Sequence, residues 1–450
     1  MRSFGEREGM TSEDRPRRTR VVVLGGGMAG IGAAHALAGA GLAVTVVERG
    51  TELGGLAGSF EQDGRFYPIG YHHILSTDRT LRRFLAIAGV EPRVRWRRVR
   101  VLFALEGALH ELGSPRGLAR FPLPWASKLR LLRLMLRAFA RRRWDAWEGR
   151  SAAELVACWG DDALGRVLFE PLAQLKFRRP LAELSAAWLG ARLHAREGAS
   201  PLGYVPDANW TKLLCDGLHR RLVELGCDVR LGSRVERLRV EDGRVAGVGL
   251  AGGEELAADA VVSTLPTPMH CALLPEDATA EMHRIRYTAL ISAVCATPKT
   301  VAPEFYWLNL SSLDRTACAI FDLTGLNPTI GGPGERCLNF VTHLAGPEDA
   351  LFALPDEELV ARYRADAVAV LGIDLRPEWV KISRVAHYSP IFDVGYRNPP
   401  ARSTTFANLY YAGNYRTYPA VASTGTALAS GLAAAAAVLG AMSAPAGRRT

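Results

Sequence analysis

The chain has 450 residues, 48% of them hydrophobic and 22% charged, a profile that excludes a disordered protein and suits two interwoven lobes better than one small core. Its net charge of +9 is uneven: between Arg79 and Arg143, 17 Lys/Arg face three acids, a local +14, so the remainder sums to −5. Seven scattered cysteines without a C-x-x-C pair argue against a disulfide framework or a metal site; they read as buried reduced thiols of a cytoplasmic protein.

Residues 1–19 form a polar, Arg-rich tail. Val21–Leu24 is an apolar, β-branched run that breaks into glycines after four residues, too short for a signal sequence and well suited to a buried parallel strand. The turn Gly25–Gly30 follows, then a small-residue helix over Ile31–Ala40 and a second strand over Leu42–Val47 ending at Glu48. From Tyr71 to Arg220 the pattern is mostly helical. From Asp228 it is β-rich, with strands at 229–231, 235–240, 245–250 and 260–263. Ile291–Val341 is strand-rich, Glu357–Leu371 helical, and Asn408–Gly413 runs as a strand into another glycine turn. Ala427–Met442, about 16 apolar residues, is short for a membrane span and reads as a packed terminal helix. The expected architecture is α/β (α+β). A Rossmann-like lobe with a parallel sheet and β-meander is built from 20–75, 205–265 and 401–442. The inserted substrate lobe is mostly helical over 76–204 and mixed-sheet over 266–400, and 443–450 is a tail.

Gly25, Gly27 and Gly30 lie between a buried strand and a helix. The first permits the sharp turn, the second lets a pyrophosphate approach the backbone, and the third lets the helix pack close to the strand. The helix start, with Met28 and Ala29, faces the phosphates, and Glu48, followed by Arg49, is placed to accept hydrogen bonds from an adenosine ribose. This unit alone suits NAD or FAD. Three features choose FAD: Gly54-Gly55-Leu56 soon after Glu48; Val235 in a strand; and Gly413-Asn414 followed by Thr424-Gly425-Thr426 opening the last helix. That helix start aims backbone N–H groups at developing negative charge.

With these segments the chain resembles the flavoprotein superfamily of amine oxidases, protoporphyrinogen oxidases and phytoene desaturases, on a branch near UDP-galactopyranose mutase. The mutase likeness rests on Phe169-Glu170-Pro171-Leu172, Lys176-Phe177, Ala187-Trp188, Arg192 and Gly203-Tyr204-Val205-Pro206. The resemblance implies backbone contact from Val235 to adenine. The chain departs from the family pattern at Leu56, where Arg or Lys is usual, at Asn414, where an acid is usual, and at Asp207–Trp210, where relatives often have a glycine pair.

The mutase branch has a His-containing segment beside its flavin, which aligns with Gly70–Thr77. His72 and His73 are therefore candidate acid–base groups. On a strand they would point to opposite faces, which favours one of them, His73. Tyr388, Tyr396, Tyr415, Arg416 and Tyr418 are candidates for a substrate wall, Tyr388 and Tyr415 among them for catalysis, and Lys176 for a flavin-side or merely solvated lysine. Over 127–143, Arg130, Arg133, Arg137 and Arg141 form one helical stripe; Leu129, Leu132, Leu136 and Phe139 form another. That stripe serves either the lobe's own core or a peripheral contact with an anionic membrane. The basic segment also suits an anionic or diphosphate-bearing small molecule, and no nucleic-acid module accompanies it.

No second strand–GxGxxG–helix unit follows residue 50, so a built-in NAD(P)H domain is not expected. The expectation is an FAD-dependent oxidoreductase that takes a hydride from a sugar-linked, isoprenoid or amine substrate to flavin N5. Its electrons then leave to oxygen, a quinone or a protein. The alternatives are a redox-neutral, mutase-like enzyme on a nucleotide-diphosphate sugar and a non-catalytic flavin-binding scaffold.

Overall fold

β1 (Arg20–Leu24) is central because every side chain after Arg20 is buried, leaving the strand nothing to offer water. It pairs in parallel with β2 (Ala43–Val47) on one side and with Ala260–Ser263 on the other. Asp228–Arg230 and Leu409–Tyr411 complete the five-stranded parallel sheet. The computed structural model describes residues 18–195, 200–275, 279–299 and 303–443; the expected tails fall outside these except at their inner ends.

α1 (Met28–Gly39) crosses this sheet, and its glycines allow the close approach: a Cβ at Gly30 would lie 1.9 Å from the Gly25 carbonyl oxygen. The last helix, Thr424–Ser443, is long and apolar enough to cross a membrane by composition. Here it packs along α1, with Gly431 against the Ala29 carbonyl and Gly32 against the Leu428 backbone, as expected of a packed terminal helix. The helix Arg79–Ile87, which the sequence division placed with the 76–204 lobe, packs on this same helix and buries Leu81, Phe84 and Leu85 in the core of the parallel-sheet lobe. The meander expected at 235–250 is present as Val235–Glu241, Arg244–Leu250 and Glu255–Ala257.

The inserted lobe has two parts. A seven-stranded mixed sheet runs in the order Trp379–Pro390, Tyr287–Pro298, Glu335–Leu344, Ala319–Asp322, Trp307–Leu310, Val101–Leu105, Ala108–Glu111. Beside it, helices Trp125–Ala140, Ala152–Trp159, Glu170–Phe177 and Ala186–Ala195 enclose a separate core that includes Trp144, Trp147, Trp159 and Trp188.

Three expectations need correction. The stretch 71–220 is not simply helical: Ile74–Leu75, Arg95–Arg97, Val101–Leu105, Ala108–Glu111 and Leu202–Tyr204 are strands, none longer than five residues, too short for their period to be told from a helix. Cys158 is exposed, while the other six cysteines are buried and free. The stripe Leu129, Leu132, Leu136 does not serve the core, because Leu131, Leu134 and Ala138 do, and the first three face outward.

Candidate functional site

One cavity of about 1230 Å³ runs from the glycine turn after β1 to the wall of the inserted lobe. At its first end the chain is shaped to receive a diphosphate. Gly25 sits at φ +96°, a left-handed conformation, and a Cβ at Gly27 would meet nothing nearer than Gly55 Cα at 3.9 Å. No side chain caps α1, so its first-turn amides are left for an anion. Glu48 accepts the amides of Gly26 and Gly50, one per carboxylate oxygen at 2.7 Å each, which holds it rigid with lone pairs to spare for ribose hydroxyls. Such a cradle fits FAD.

The structure brings most of the expected residues onto this cavity: Gly25, Gly27, Met28, Ala29, Glu48, Arg49, Gly54, Gly55, Leu56, Val235, Gly413, Asn414 and Thr424. Three others act from behind. Gly30 holds α1 against the turn, Gly425 makes room for the Asp78 carboxylate, and Thr426 caps the helix start by bonding Ser423 and the Val421 carbonyl. His72, His73, Tyr388 and Tyr415 also line the cavity.

The two histidines precede the strand Ile74–Leu75 rather than lying on it, so strand alternation does not separate them and both reach the cavity. His72 Nε2 donates to the Leu56 carbonyl at 2.9 Å, which fixes its tautomer and leaves Nδ1 as the acceptor. Burial lowers its pKa to about 4, so the ring is neutral at neutral pH. His73 Nδ1 lies 3.1 Å from the Tyr306 hydroxyl. Tyr415, expected as a catalytic group, is 1% exposed; its hydroxyl is buried without a partner and its ring packs against Gly413, so it shapes the turn instead.

The inserted lobe supplies the far wall: Phe177, Trp188, Phe352 and Tyr388, with the cations Lys176, Arg192 and Arg384. Between residues 79 and 400 no described Asp or Glu lines the cavity. Arg384 was missed in the sequence; it is fixed by donating to the Phe352 and Leu354 carbonyls and pairing with Asp356. Asp78 was missed too. Burial raises its carboxyl pKa, and it caps the helix Arg79–Ile87 through the Leu81 amide.

Buried neutral histidines also set the acid limit of the fold. Burial lowers His270 from 6.5 to about 4 and His343 to about 3, the latter also facing Lys176, Arg178 and Arg192. The unfolded chain protonates these rings near 6.5 while the fold resists, so stability falls with pH below that value, about 1.4 kcal/mol per unit of depression. The raised carboxyls of Asp78 and Asp366 act oppositely, nearer their own range. Tm should therefore drop between about pH 7.5 and 5.5; a rise on acidification over that span would contradict this.

The family model described as flavin containing amine oxidoreductase matches residues 28–439. The 15-cis-phytoene desaturase of Solanum lycopersicum is 23% identical over 380 residues, 78% of this chain and 64% of that protein, so the chain spans just under two thirds of this relative's length. A solved structure provisionally assigned as a protoporphyrinogen oxidase, from Exiguobacterium sp. 255-15, matches with TM-score 0.74 at 21% identity, covering 96% of this chain and 99% of that one. Reduced UDP-galactopyranose mutase matches with TM-score 0.74 at 16% identity, covering 94% and 96% of the two chains. At these identities the two structures speak for the fold.

Proposed function

The chain belongs to the flavin containing amine oxidoreductases, and from that premise we propose that it is an FAD-dependent oxidoreductase that oxidises an apolar small molecule bearing a carboxylate or phosphate group. The observation that supports this substrate class is the far wall, where Lys176, Arg192 and Arg384, the last held by Asp356, stand among Phe177, Trp188, Phe352 and Tyr388. An ammonium substrate would meet cations there, whereas an anion gains charge-assisted hydrogen bonds in a site screened from water.

FAD, when bound, supplies at N5 the acceptor for the hydride leaving a substrate C–H bond. Gly25, Gly27 and the start of α1 would hold its pyrophosphate, Glu48 its ribose, and the turn at Gly413-Asn414 with the helix start at Thr424 would meet its reactive ring. His72 remains neutral and orients the wall through Leu56. His73, bonded to Tyr306, takes the proton the substrate releases with the hydride. The electrons leave to oxygen, a quinone or a partner protein. The same cations favour a second, redox-neutral reading on a nucleotide-diphosphate sugar, and family membership favours either enzymatic reading over a scaffold.

Anaerobic mixing separates them. Protoporphyrinogen, apolar with two carboxylates, is the probe for the first reading and should bleach the flavin band without any added reductant. Arg192→Met should raise its KM about tenfold or more while FAD stays bound. Bleaching by putrescine instead overturns the substrate class. Turnover of UDP-galactose only after dithionite, with no net electron consumption, decides for the second reading.

A further inference from the structure

The helix Trp125–Ala140 is anchored by one face only. Leu131, Leu134 and Ala138 turn inward, and His194 Nδ1 holds the Ala138 carbonyl at 3.0 Å. On the outer face Trp125 is 68% exposed, Leu129 66%, Leu136 67% and Leu132 46%; the first three are the most exposed large hydrophobic residues among the described ones. At about 100° per residue the four fall within roughly 60° of arc, a continuous apolar ridge. Single exposed hydrophobics need no explanation, but a ridge of this kind on a soluble surface does.

The charge around the ridge is one-signed. From Gly113 to Arg143 there are nine Lys/Arg and no acid. Local partners absorb part of it: Arg130 pairs with Asp161 at 2.9 Å, Lys128 donates to the Ala119 carbonyl, Arg133 donates to the Cys158 carbonyl, and Arg143 lies 3.8 Å from Asp145. Carbonyl partners leave the charge of Lys128 and Arg133 uncancelled. Arg116, Arg120 and Arg142 are exposed in the same segment, and Arg137 lies alongside the ridge over the Trp159 ring.

We propose that this face docks on the surface of an anionic phospholipid bilayer. Trp125, Leu129, Leu132 and Leu136 enter the boundary between headgroups and acyl chains, and the surrounding arginines stay with the lipid phosphates. Charge complementarity chooses this occupant. A second copy of the chain in a two-fold arrangement would set the exposed Arg116, Arg120, Arg133, Arg137 and Arg142 against the same arginines, whereas a bilayer supplies an apolar layer directly beneath a negative one. Docking would also place the cavity close to the lipid, because the helix packs on Ala186–Ala195, whose Trp188 and Arg192 line the cavity wall.

The test uses the flavin-loaded full chain and reads binding without turnover, so its failure is distinguishable from failure of the proposed substrate class. The wild type should cosediment with vesicles of phosphatidylcholine containing about one third phosphatidylglycerol, weaken as salt rises, and bind phosphatidylcholine alone poorly. The variant L129S/L132S/L136S should lose at least about tenfold in partitioning with flavin content and Tm unchanged, since all three side chains face out. A wild type that stays in solution with both vesicle types, or a triple variant that partitions like the wild type, overturns the proposal. So does a lipid-free dimer that the triple variant converts to monomer, which would assign the face to a second copy.

Discussion

Gly30→Ala is expected to give a protein that purifies without flavin colour and melts well below the wild type. The added Cβ would lie 1.9 Å from the Gly25 carbonyl oxygen and 3.1 Å from its carbon. Both obstacles are backbone, so no side chain can rotate away, and the start of α1 must lift off the turn. Overpacking of this kind costs about 1–3 kcal/mol when it is absorbed, and more when backbone must move. The lift also spoils the alignment of the α1 amides with the cofactor's phosphates. Gly27→Ala makes the contrast. A Cβ there meets only Gly55 Cα at 3.9 Å, so the melting point should match that of the flavin-free wild type while flavin is lost, because the methyl occupies the pyrophosphate's approach. Absorbance of the bound flavin and a thermal melt read both outcomes; a Gly30→Ala protein with normal flavin content and Tm would contradict the close-packing argument.

Arg336→Met should be strongly destabilising although it lies outside the cofactor turn. Arg336 Nε donates to Asp322 at 2.8 Å, and both side chains are only 7% exposed. Losing the arginine leaves a buried carboxylate with its Thr324 and Gly325 bonds but no counter-charge, a loss of about 3–5 kcal/mol. The damage reaches the cavity because Asp322 ends the strand Ala319–Asp322. On that strand Phe321 stacks on Tyr71, with ring centroids 3.7 Å apart, and packs edge-on to Tyr306, the partner of His73. The expected result is a Tm several degrees lower together with slower turnover. Replacing both partners, as in Asp322→Leu with Arg336→Met, should recover much of the stability because no charge is then stranded. A single variant as stable as the wild type would show that the pair is dispensable.

The parallel-sheet lobe was legible because backbone constraints write themselves into residue type. A turn at φ +96° and a helix packed on a carbonyl leave room only for glycine, and a strand buried on both faces reads as Val-Val-Val-Leu. The hairpin Val101–Leu105 and Ala108–Glu111 was hidden, although its turn, Glu106-Gly107, has positive φ at both residues. Its strands, five and four residues long, are too short for a period of two to stand out from a helical pattern. The amphipathic helix shows a different limit. Leu129, Leu132, Leu136 and Leu131, Leu134, Ala138 are both helical stripes, and only the neighbouring helices decide which one is covered. Arg384 and Asp78 carry no local signature, since each reaches the cavity by the long-range course of its segment.

The strand order of the parallel sheet has a temporal consequence. β1, α1 and β2 are made well before their partners, for β1's other neighbour is Ala260–Ser263, and the helix that clasps α1 is Thr424–Ser443. The glycine turn is thus synthesised hundreds of residues before the elements that make it rigid. Contacts of such large sequence separation form slowly, because loop-closure entropy must be overcome before any burial offsets it. Until then the small-residue face of α1 is uncovered. Cofactor capture accordingly waits on the synthesis of Thr424–Ser443, and during that interval the Ala- and Gly-rich surface of α1 needs other cover.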